Sequence, residues 1–324
     1  MLHFGTGEET DISKVEVTFP NQKKIVLDNI KADQELILYE SNAAVTGNTT
    51  LAKPNTTFKD ITAEGKLKFA QAENEFIDFK REPLIPYRCS RKGPYYARAD
   101  VNGDKLEDIY IGGAAGFEGK LMIQNVNGSF TEKKQAVFTA DKKCEDMGAV
   151  FFDADGDGDM DLYVVSGGAE FAQGDKLYQD RLYKNDGKGN FTAALNALPA
   201  EGFNGSAVTV LDYDADGDLD LFVGGHVLPG KFPKPERSIL LQNNKGVFTD
   251  VTRQVAEALL NPGIVNQAVW ADVDGDGKNE LSVSGEWMPL EIFGFENGHF
   301  LKRQNTVHVM LPSKKDTIIN MDAL

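Results

Sequence analysis

A segment that recurs four times along the 324-residue chain constrains the fold more than any other feature. Each copy runs from an apolar stretch into an Asp- and Gly-rich loop, and then into a second apolar stretch. The first aspartates of the four loops are 53, 59 and 60 residues apart, at Asp100, Asp153, Asp212 and Asp272. Copies that share order as well as composition indicate one structural unit repeated in series.

Each repeat predicts four β-strands. The apolar stretches on either side of the loop supply strands one and two, and an Asn/Gly turn between two further stretches predicts a hairpin. The hairpins are LMIQNVNGSFTEK from Leu121, RLYKNDGKGNFTA from Arg181, ILLQNNKGVFTDV from Ile239 and EIFGFENGHFLKR from Glu291. Repeated four-stranded antiparallel units are typical of propeller blades. We therefore predict an all-β chain, with a β-propeller segment of four four-stranded blades preceded by a small β module.

The four loops share a pattern of oxygen-bearing side chains at alternate positions. Position one is given above, and position seven varies as expected for a backbone carbonyl ligand. The other predicted ligands are Asn102, Asp155, Asp214 and Asp274 at position three, Asp104, Asp157, Asp216 and Asp276 at position five, Leu106, Asp159, Asp218 and Lys278 at position seven, and Asp108, Asp161, Asp220 and Glu280 at position nine.

Oxygen ligands converging in a tight loop predict a calcium site in each repeat, up to four ions in all. Calcium takes six to eight oxygen ligands in flexible geometry, whereas magnesium keeps more of its water. An EF-hand would need a Glu at position twelve, where this chain has Ile111, Val164, Val223 and Val283. Clustered carboxylates repel one another unless neutralised, so we expect the calcium-free chain to be less stable. The alternative is that these loops are plain Asp-Gly hairpin turns.

The loop motif D-x-[DN]-x-D-G-x-x-D-[LI]-x-[VI] resembles that of the FG-GAP/VCBS repeat family, in which integrin-type propellers carry such loops between the first two strands of a blade. The stretch FIDFKREPLIP, from Phe76, resembles the opening of the propeller in a bacterial subgroup. The resemblance implies a propeller with calcium loops. Lys105 stands where the motif has Gly, and Asn102 lowers the charge, so the first loop is expected to bind most weakly.

Residues 2–40 resemble the latter part of an ASPIC/UnbV domain, which accompanies such propellers in bacterial proteins and in cartilage acidic protein. On their own residues, VEVTF, KKIVL and ELILY predict three strands there. We expect a partial ASPIC/UnbV-like module at 1–45, a linker at 46–60, blades at 61–300 and an atypical tail at 301–324, with the two ends of the chain resembling those of a fragment. Residues 55–80 are expected to add strands to the first blade or to take part in closure.

The loops between strands two and three should lie at the end of each blade opposite the calcium loops. They carry aromatic and polar side chains that favour a ligand-binding surface for a glycan or a protein, the candidates being Phe171, His226 and Trp287. The alternative is that these residues pack between blades. A purely structural spacer is a second alternative, and a propeller enzyme acting on glycans is a third.

The formal net charge of -16 argues against a nucleic-acid partner, which demands a basic patch. No stretch is long and apolar enough for membrane insertion, and the four histidines form no catalytic motif, so we expect no enzyme. Cys89 and Cys144 match no metal-ligand spacing, and either a disulfide or two free thiols fits them. Calcium loops of this kind favour an extracellular or bacterial cell-surface protein.

Overall fold

The contacts within the chain divide it into two compact units, residues 1–63 and 64–324. The structure is a computed structural model that describes residues 7–19, 23–44, 58, 60, 62–200 and 202–303. The predicted linker, apart from residues 58 and 60, and the predicted tail beyond residue 303 lie outside the described residues.

The first unit contains an antiparallel hairpin of β1, Asp11–Thr18, and β2, Lys24–Lys31. These strands cover two of the three that the sequence predicts. The third prediction is wrong: residues 35–39 form no strand, and Ile37 and Tyr39 are exposed. Their apolar pattern was sufficient for the prediction, but a strand also needs a neighbour for its backbone groups, and none of the described strands pairs with this segment.

The second unit is built from four antiparallel sheets of four strands, as predicted. The first sheet has β3 Tyr96–Ala99, β4 Asp108–Ile111, β5 Lys120–Gln124 and β6 Phe130–Lys133. The second has β7 Asp146–Phe152, β8 Asp161–Ser166, β9 Arg181–Asn185 and β10 Phe191–Ala193. The third has β11 Gly205–Leu211, β12 Asp220–Gly225, β13 Ile239–Asn244 and β14 Val247–Asp250. The fourth has β15 Ile264–Ala271, β16 Glu280–Glu286, β17 Glu291–Glu296 and β18 His299–Lys302.

Among the residues that the structure describes, three short α-helices lie outside the sheets, at α1 Asp78–Arg81, α2 Ala136–Ala140 and α3 Thr252–Val255. α2 inserts Phe138 between the first two sheets, where its ring packs edge-on against Tyr110 and Tyr183 at centroid distances of 5.2 and 5.1 Å. Among the described residues, no helix is both long and apolar enough to span a membrane.

The sheets pack face to face in chain order, and the first strand of each contacts the first strand of the next. Three apolar cores fill the three interfaces. In each of the first three sheets, the residue two places after position nine is aromatic and packs into the interface with the next sheet. These residues are almost fully buried: Tyr110, Tyr163 and Phe222. In the fourth sheet this position is Ser282. The outer faces of the stack are exposed at Tyr96 and Val269, 68% and 45%.

The chain that leads into the first sheet lies across the ends of the other sheets, and we call residues 71–95 the strap. Arg81 donates hydrogen bonds to the carbonyl oxygens of Ala169 and Phe171 in the second sheet's loop, at 2.7 and 2.6 Å. Glu82 accepts a bond from the backbone of Phe232 at 2.7 Å, in the third sheet's loop. Cys89 of the strap packs with Ala169, Val227 and Ile264 in a fourth small core.

The strap corrects the expectation for residues 55–80. Among the residues of that range that the structure describes there is no strand, only a short 3₁₀ turn at Thr62–Glu64 and the start of α1. Asp78 is buried and accepts hydrogen bonds from the backbone and side chain of Ser90, which folds the strap on itself. The segment therefore supports the four sheets from one end rather than extending any of them.

Candidate metal loops and the opposite face

The four Asp-rich loops join the first and second strands of the four sheets, where the repeat predicts them. In the second loop the carboxylate of Asp153 accepts backbone N–H bonds from Gly156 and Gly158, at 2.8 and 2.9 Å. Both glycines have positive φ, 79° and 91°, which lets the chain wrap around that side chain. The fourth loop repeats this arrangement around Asp272.

Three of the loops bring carboxylate oxygens within 4.8 Å of one another. The groups are Asp153, Asp155 and Asp161 in the second loop, Asp212, Asp214 and Asp220 in the third, and Asp272, Asp274 and Asp276 in the fourth. Positions one and three are thus shared by all three groups. Asp157 and Asp216 at position five, and Glu280 at position nine, lie outside the groups.

Two oxygens in these groups are buried and, within the described part of the chain, have no hydrogen-bond partner: Oδ1 of Asp155 and Oδ1 of Asp212. A buried carboxylate oxygen without a donor is costly unless a cation compensates it. The donor set consists of oxygen atoms, the ligand type that calcium prefers. The residues present therefore fit a calcium ion in these loops.

Position nine also has a structural role that the sequence pattern does not indicate. Each oxygen of Asp161 accepts a backbone bond, from Ala154 at 3.2 Å and from Asn185 at 2.8 Å. Asp220 makes the same pair of bonds with Tyr213 and Asn243. The side chain at position nine thereby joins the loop to the third strand of its own sheet.

Burial raises the pKa of Asp161 to about 6 and that of Asp220 to about 7, although the backbone bonds act to lower both. Neighbouring aspartates add to the rise. A cation bound in the loop would favour the charged carboxylates and reverse this shift. In the second and third loops, proton and metal thus compete for the same carboxylate.

The first loop, in which Asn102 and Lys105 depart from the motif, has a different set of hydrogen bonds, and its weaker calcium affinity stays a prediction. Lys105 adopts a positive φ of 69°, the backbone conformation that Gly provides in the motif. The carboxylate of Asp100 accepts four backbone bonds, from residues 102, 103, 104 and 105. Although burial opposes it, these bonds lower the pKa of Asp100. Asp100, Asn102 and Asp104 form no carboxylate group like those of the other loops.

The position-seven residues Leu106, Asp159, Asp218 and Lys278 all lie in the loops, and the predicted role of their carbonyl groups stays a prediction. Lys184 and Gln242, which the loop motif does not include, stand at the same place in β9 and β13. Lys184 donates to Asp155 at 2.6 Å, and Gln242 donates to Asp214 at 2.7 Å. The repeated position was visible in the sequence, but its side chains differ in chemistry.

The opposite face differs from the predicted ligand surface. Trp287 is 73% exposed, and Phe171 is half-buried against Tyr178. His226 is fully buried, so its side chain is not part of the surface. Burial and the ammonium of Lys92 lower the pKa of His226 to about 3, which leaves the ring neutral. The strap covers this part of the face.

Cys89 and Cys144 are free, buried thiols, which settles the alternative that the sequence left open. Burial raises the pKa of both, that of Cys89 to about 12. Neither thiol is set up for nucleophilic chemistry at neutral pH, because the thiolate is the reactive form.

Four-stranded antiparallel sheets stacked in series, with an Asp-rich loop after the first strand of each, define a β-propeller type of repeat protein. Residues 100–164 and 169–223 match the FG-GAP-like repeat, and residues 1–45 match the ASPIC and UnbV domain. Both resemblances expected from the sequence are thereby confirmed. Such repeats are typical of modules in extracellular and adhesion proteins. No curated protein matches the chain.

Proposed function

We propose that this protein is a non-catalytic, calcium-stabilised binding module of the cell exterior. The proposal rests on two buried carboxylate oxygens that accept no hydrogen bond from the described residues. They belong to Asp155 and Asp212, in two of the three carboxylate groups. Such oxygens favour a bound cation over a plain turn, because an Asp-Gly turn alone leaves no reason to bury them. The FG-GAP-like repeats support the same reading.

The bound ions would stabilise the protein and are not part of any reaction. Asp153, Asp155 and Asp161 would hold one ion, and the corresponding groups of the third and fourth loops two more, while the first loop would bind a fourth ion more weakly. An ion that binds only the folded state adds stability by mass action. Neutralising the loops would also relieve repulsion in a chain whose formal charge is -16.

The face opposite the loops is the proposed place for a glycan or protein ligand. Hydrogen bonds from Arg81 and to Glu82 of the strap hold the loops of the second and third sheets, so the side chains of these loops are presented on a rigid backbone. We propose no nucleic-acid partner and no membrane insertion for this chain. A location outside the cell, or on a bacterial cell surface, fits both the calcium loops and the repeats.

Calorimetric titration of calcium into the chelator-treated protein, with thermal melts in parallel, tests this proposal. We expect three ions to bind with higher affinity, a fourth with lower affinity, and the melting temperature to rise as they bind. Magnesium at the same concentration serves as the control and should raise it less. Melting curves that coincide with and without chelator would contradict the proposal.

A further inference from the structure

Within the described ranges, one exposed aromatic side chain belongs to a residue with a backbone conformation that aromatic residues rarely adopt. Trp287 lies in the short loop between β16 and β17 and has a φ of 59°. The left-handed region carries an energetic cost for a residue with a Cβ atom, and such outliers concentrate at functional sites. Trp287 is nonetheless 73% exposed, so burial of its indole does not offset that cost.

The neighbours of Trp287 show how its indole is kept at the surface. The next residue, Met288, packs its side chain over Gly263, where an added Cβ would lie 2.6 Å from it. Phe232, in the loop of the third sheet, meets the indole edge-on, with ring centroids 6.3 Å apart. The loop is thus anchored by Met288 and flanked by Phe232, and Trp287 is left projecting from it.

A compact set of polar side chains is built around Glu286, the residue that precedes this tryptophan. The Oε1 atom of Glu286 accepts a bond from the amide of Asn266 at 3.1 Å. Lys92 of the strap lies 3.4 Å from the Asn266 oxygen and 3.5 Å from Glu286 Oε1. Tyr87, also of the strap, donates to the other oxygen of Glu286. The strap and the fourth sheet build this set together.

Asn266 reaches the set because of a β-bulge. The register between β15 and β16 shifts between Val265 and Gln267, which leaves Asn266 unpaired. The same bulge occurs in the second and third sheets, where its residues, Met147 and Ser206, are buried. Asn266 is exposed. Bulges commonly redirect a side chain toward a binding site. Of the three bulge residues, Asn266 is the one that exposes a side-chain amide to solvent.

We propose that Trp287, Asn266 and Glu286 form a carbohydrate-binding site, in which the indole stacks on the apolar face of a pyranose ring. The amide and the carboxylate would bind neighbouring hydroxyl groups, since a hydroxyl both donates and accepts hydrogen bonds. This inference rests on the proposed function as a binding module and specifies its ligand class.

The charges of the set favour a neutral ligand. A cation over an aromatic face is the other common use of an exposed tryptophan. Here, however, the ammonium of Lys92 already lies 4.7 Å from the centre of the Tyr87 ring and close to the carboxylate of Glu286. One ammonium and one carboxylate leave the set without net charge, so neither a cationic nor an anionic ligand gains from it.

The intrinsic fluorescence of the protein can report on this site. The chain has two tryptophans, Trp270 and Trp287, and the W270F variant leaves Trp287 as the sole indole. We expect this variant, in calcium, to bind at least one neutral member of a printed array of neutral and acidic oligosaccharides, whereas binding of acidic members alone would contradict the proposal. The soluble form of that sugar should shift the tryptophan emission to shorter wavelength as the indole loses water.

Two further variants make the test specific. W287A and N266A, in the native background, should each weaken binding of that sugar by about tenfold or more, with an unchanged melting temperature. Leu84→Ala, which alters a residue of the strap that is 93% exposed, should bind as the native protein does. A blank array, or binding that survives W287A, would overturn the proposal. Calcium-dependent melting measured on the same samples tests the proposed function separately.

Discussion

At the scale of single residues, the aspartates of the loops have different tasks. Position one organises the loop backbone, as Asp153 does with Gly156 and Gly158. Position nine joins the loop to its sheet, as Asp161 does. Position three is contacted from the third strand, by Lys184 in the second loop. The buried carboxylate oxygens that receive no hydrogen bond, and not the number of carboxylates, determine where a cation is needed.

Asp212→Asn should remove one ion from the calcium titration. The substitution replaces a carboxylate that has a donorless buried oxygen with a neutral amide. We also expect the calcium-dependent rise in melting temperature to shrink by about 2–4 °C, the shift that 1 kcal/mol gives in a domain of this size. Asp104→Asn in the first loop is the matched control and should change both quantities less. Equal effects of the two variants would contradict this assignment.

Glu145 is a second residue whose substitution should change a measurable property, the pH dependence of stability. It directly precedes β7 and accepts a backbone hydrogen bond from Ala115 in the first sheet's loop. It is 1% exposed, and burial, reinforced by the charge of Glu170, raises its pKa from 4.5 to about 9. Because the folded pKa lies above the unfolded value, this group costs no stability below about pH 4.5. The folded state is progressively destabilised as the pH rises from there to about 9.

Glu145→Gln should therefore flatten the pH dependence of stability. We expect the native protein to lose more free energy of unfolding between pH 6 and pH 9 than the variant does, measured by urea unfolding in calcium. Glu107→Gln, at an exposed glutamate, provides the comparison. If the native protein and Glu145→Gln lose stability in parallel, the buried carboxyl is not the group responsible.

At the scale of elements, the repeat was sufficient to predict the sheets, because each strand lies beside its neighbour in sequence. The Asp-rich loops and the Asn/Gly turns gave the boundaries of these strands. The contacts between sheets could not be predicted in this way. The amide of Asn243 donates to the carbonyl oxygen of Ala154 in the preceding loop, 89 residues away. Nothing local in the sequence indicates that bond.

The strap was missed for the same reason. Its residues show neither alternation nor helical periodicity, and its partners lie far along the chain, in strands as well as in loops. The resemblance of Phe76–Pro86 to the opening of a propeller identified the segment but did not indicate what it contacts. Likewise, His226 stands in a loop by sequence, and neither its burial nor its contact with Lys92 of the strap could be predicted locally.

Arg81→Ala should destabilise the protein by about 1.5–3 kcal/mol, because two backbone carbonyl oxygens would lose a charged donor. The urea midpoint should fall while the slope of the transition stays constant. Arg88→Ala, at an exposed arginine of the same strap, should leave the midpoint within about 0.5 kcal/mol of the native value. Equal midpoints for the two variants would show that the strap is not held through Arg81.

At the scale of the whole molecule, the loops, the strap and the four sheets belong to one unit. Residues 64–324 produced alone should therefore bind calcium with the stoichiometry of the full chain and melt within a few degrees of it. Residues 96–324, which lack the strap, should melt at a lower temperature. If residues 96–324 melted at the same temperature as residues 64–324, the strap would not have the stabilising role given to it.

The position of the strap also sets an order of events during synthesis. Its partners are made long after it: Ala169 follows Arg81 by 88 residues, His226 follows Lys92 by 134, and Glu286 follows Tyr87 by 199. Contacts of such separation form late, because a long loop must close before they contribute. We expect the nascent strap to remain undocked until the fourth sheet has been synthesised. The completed protein should then reach its native state in one slow, final docking step.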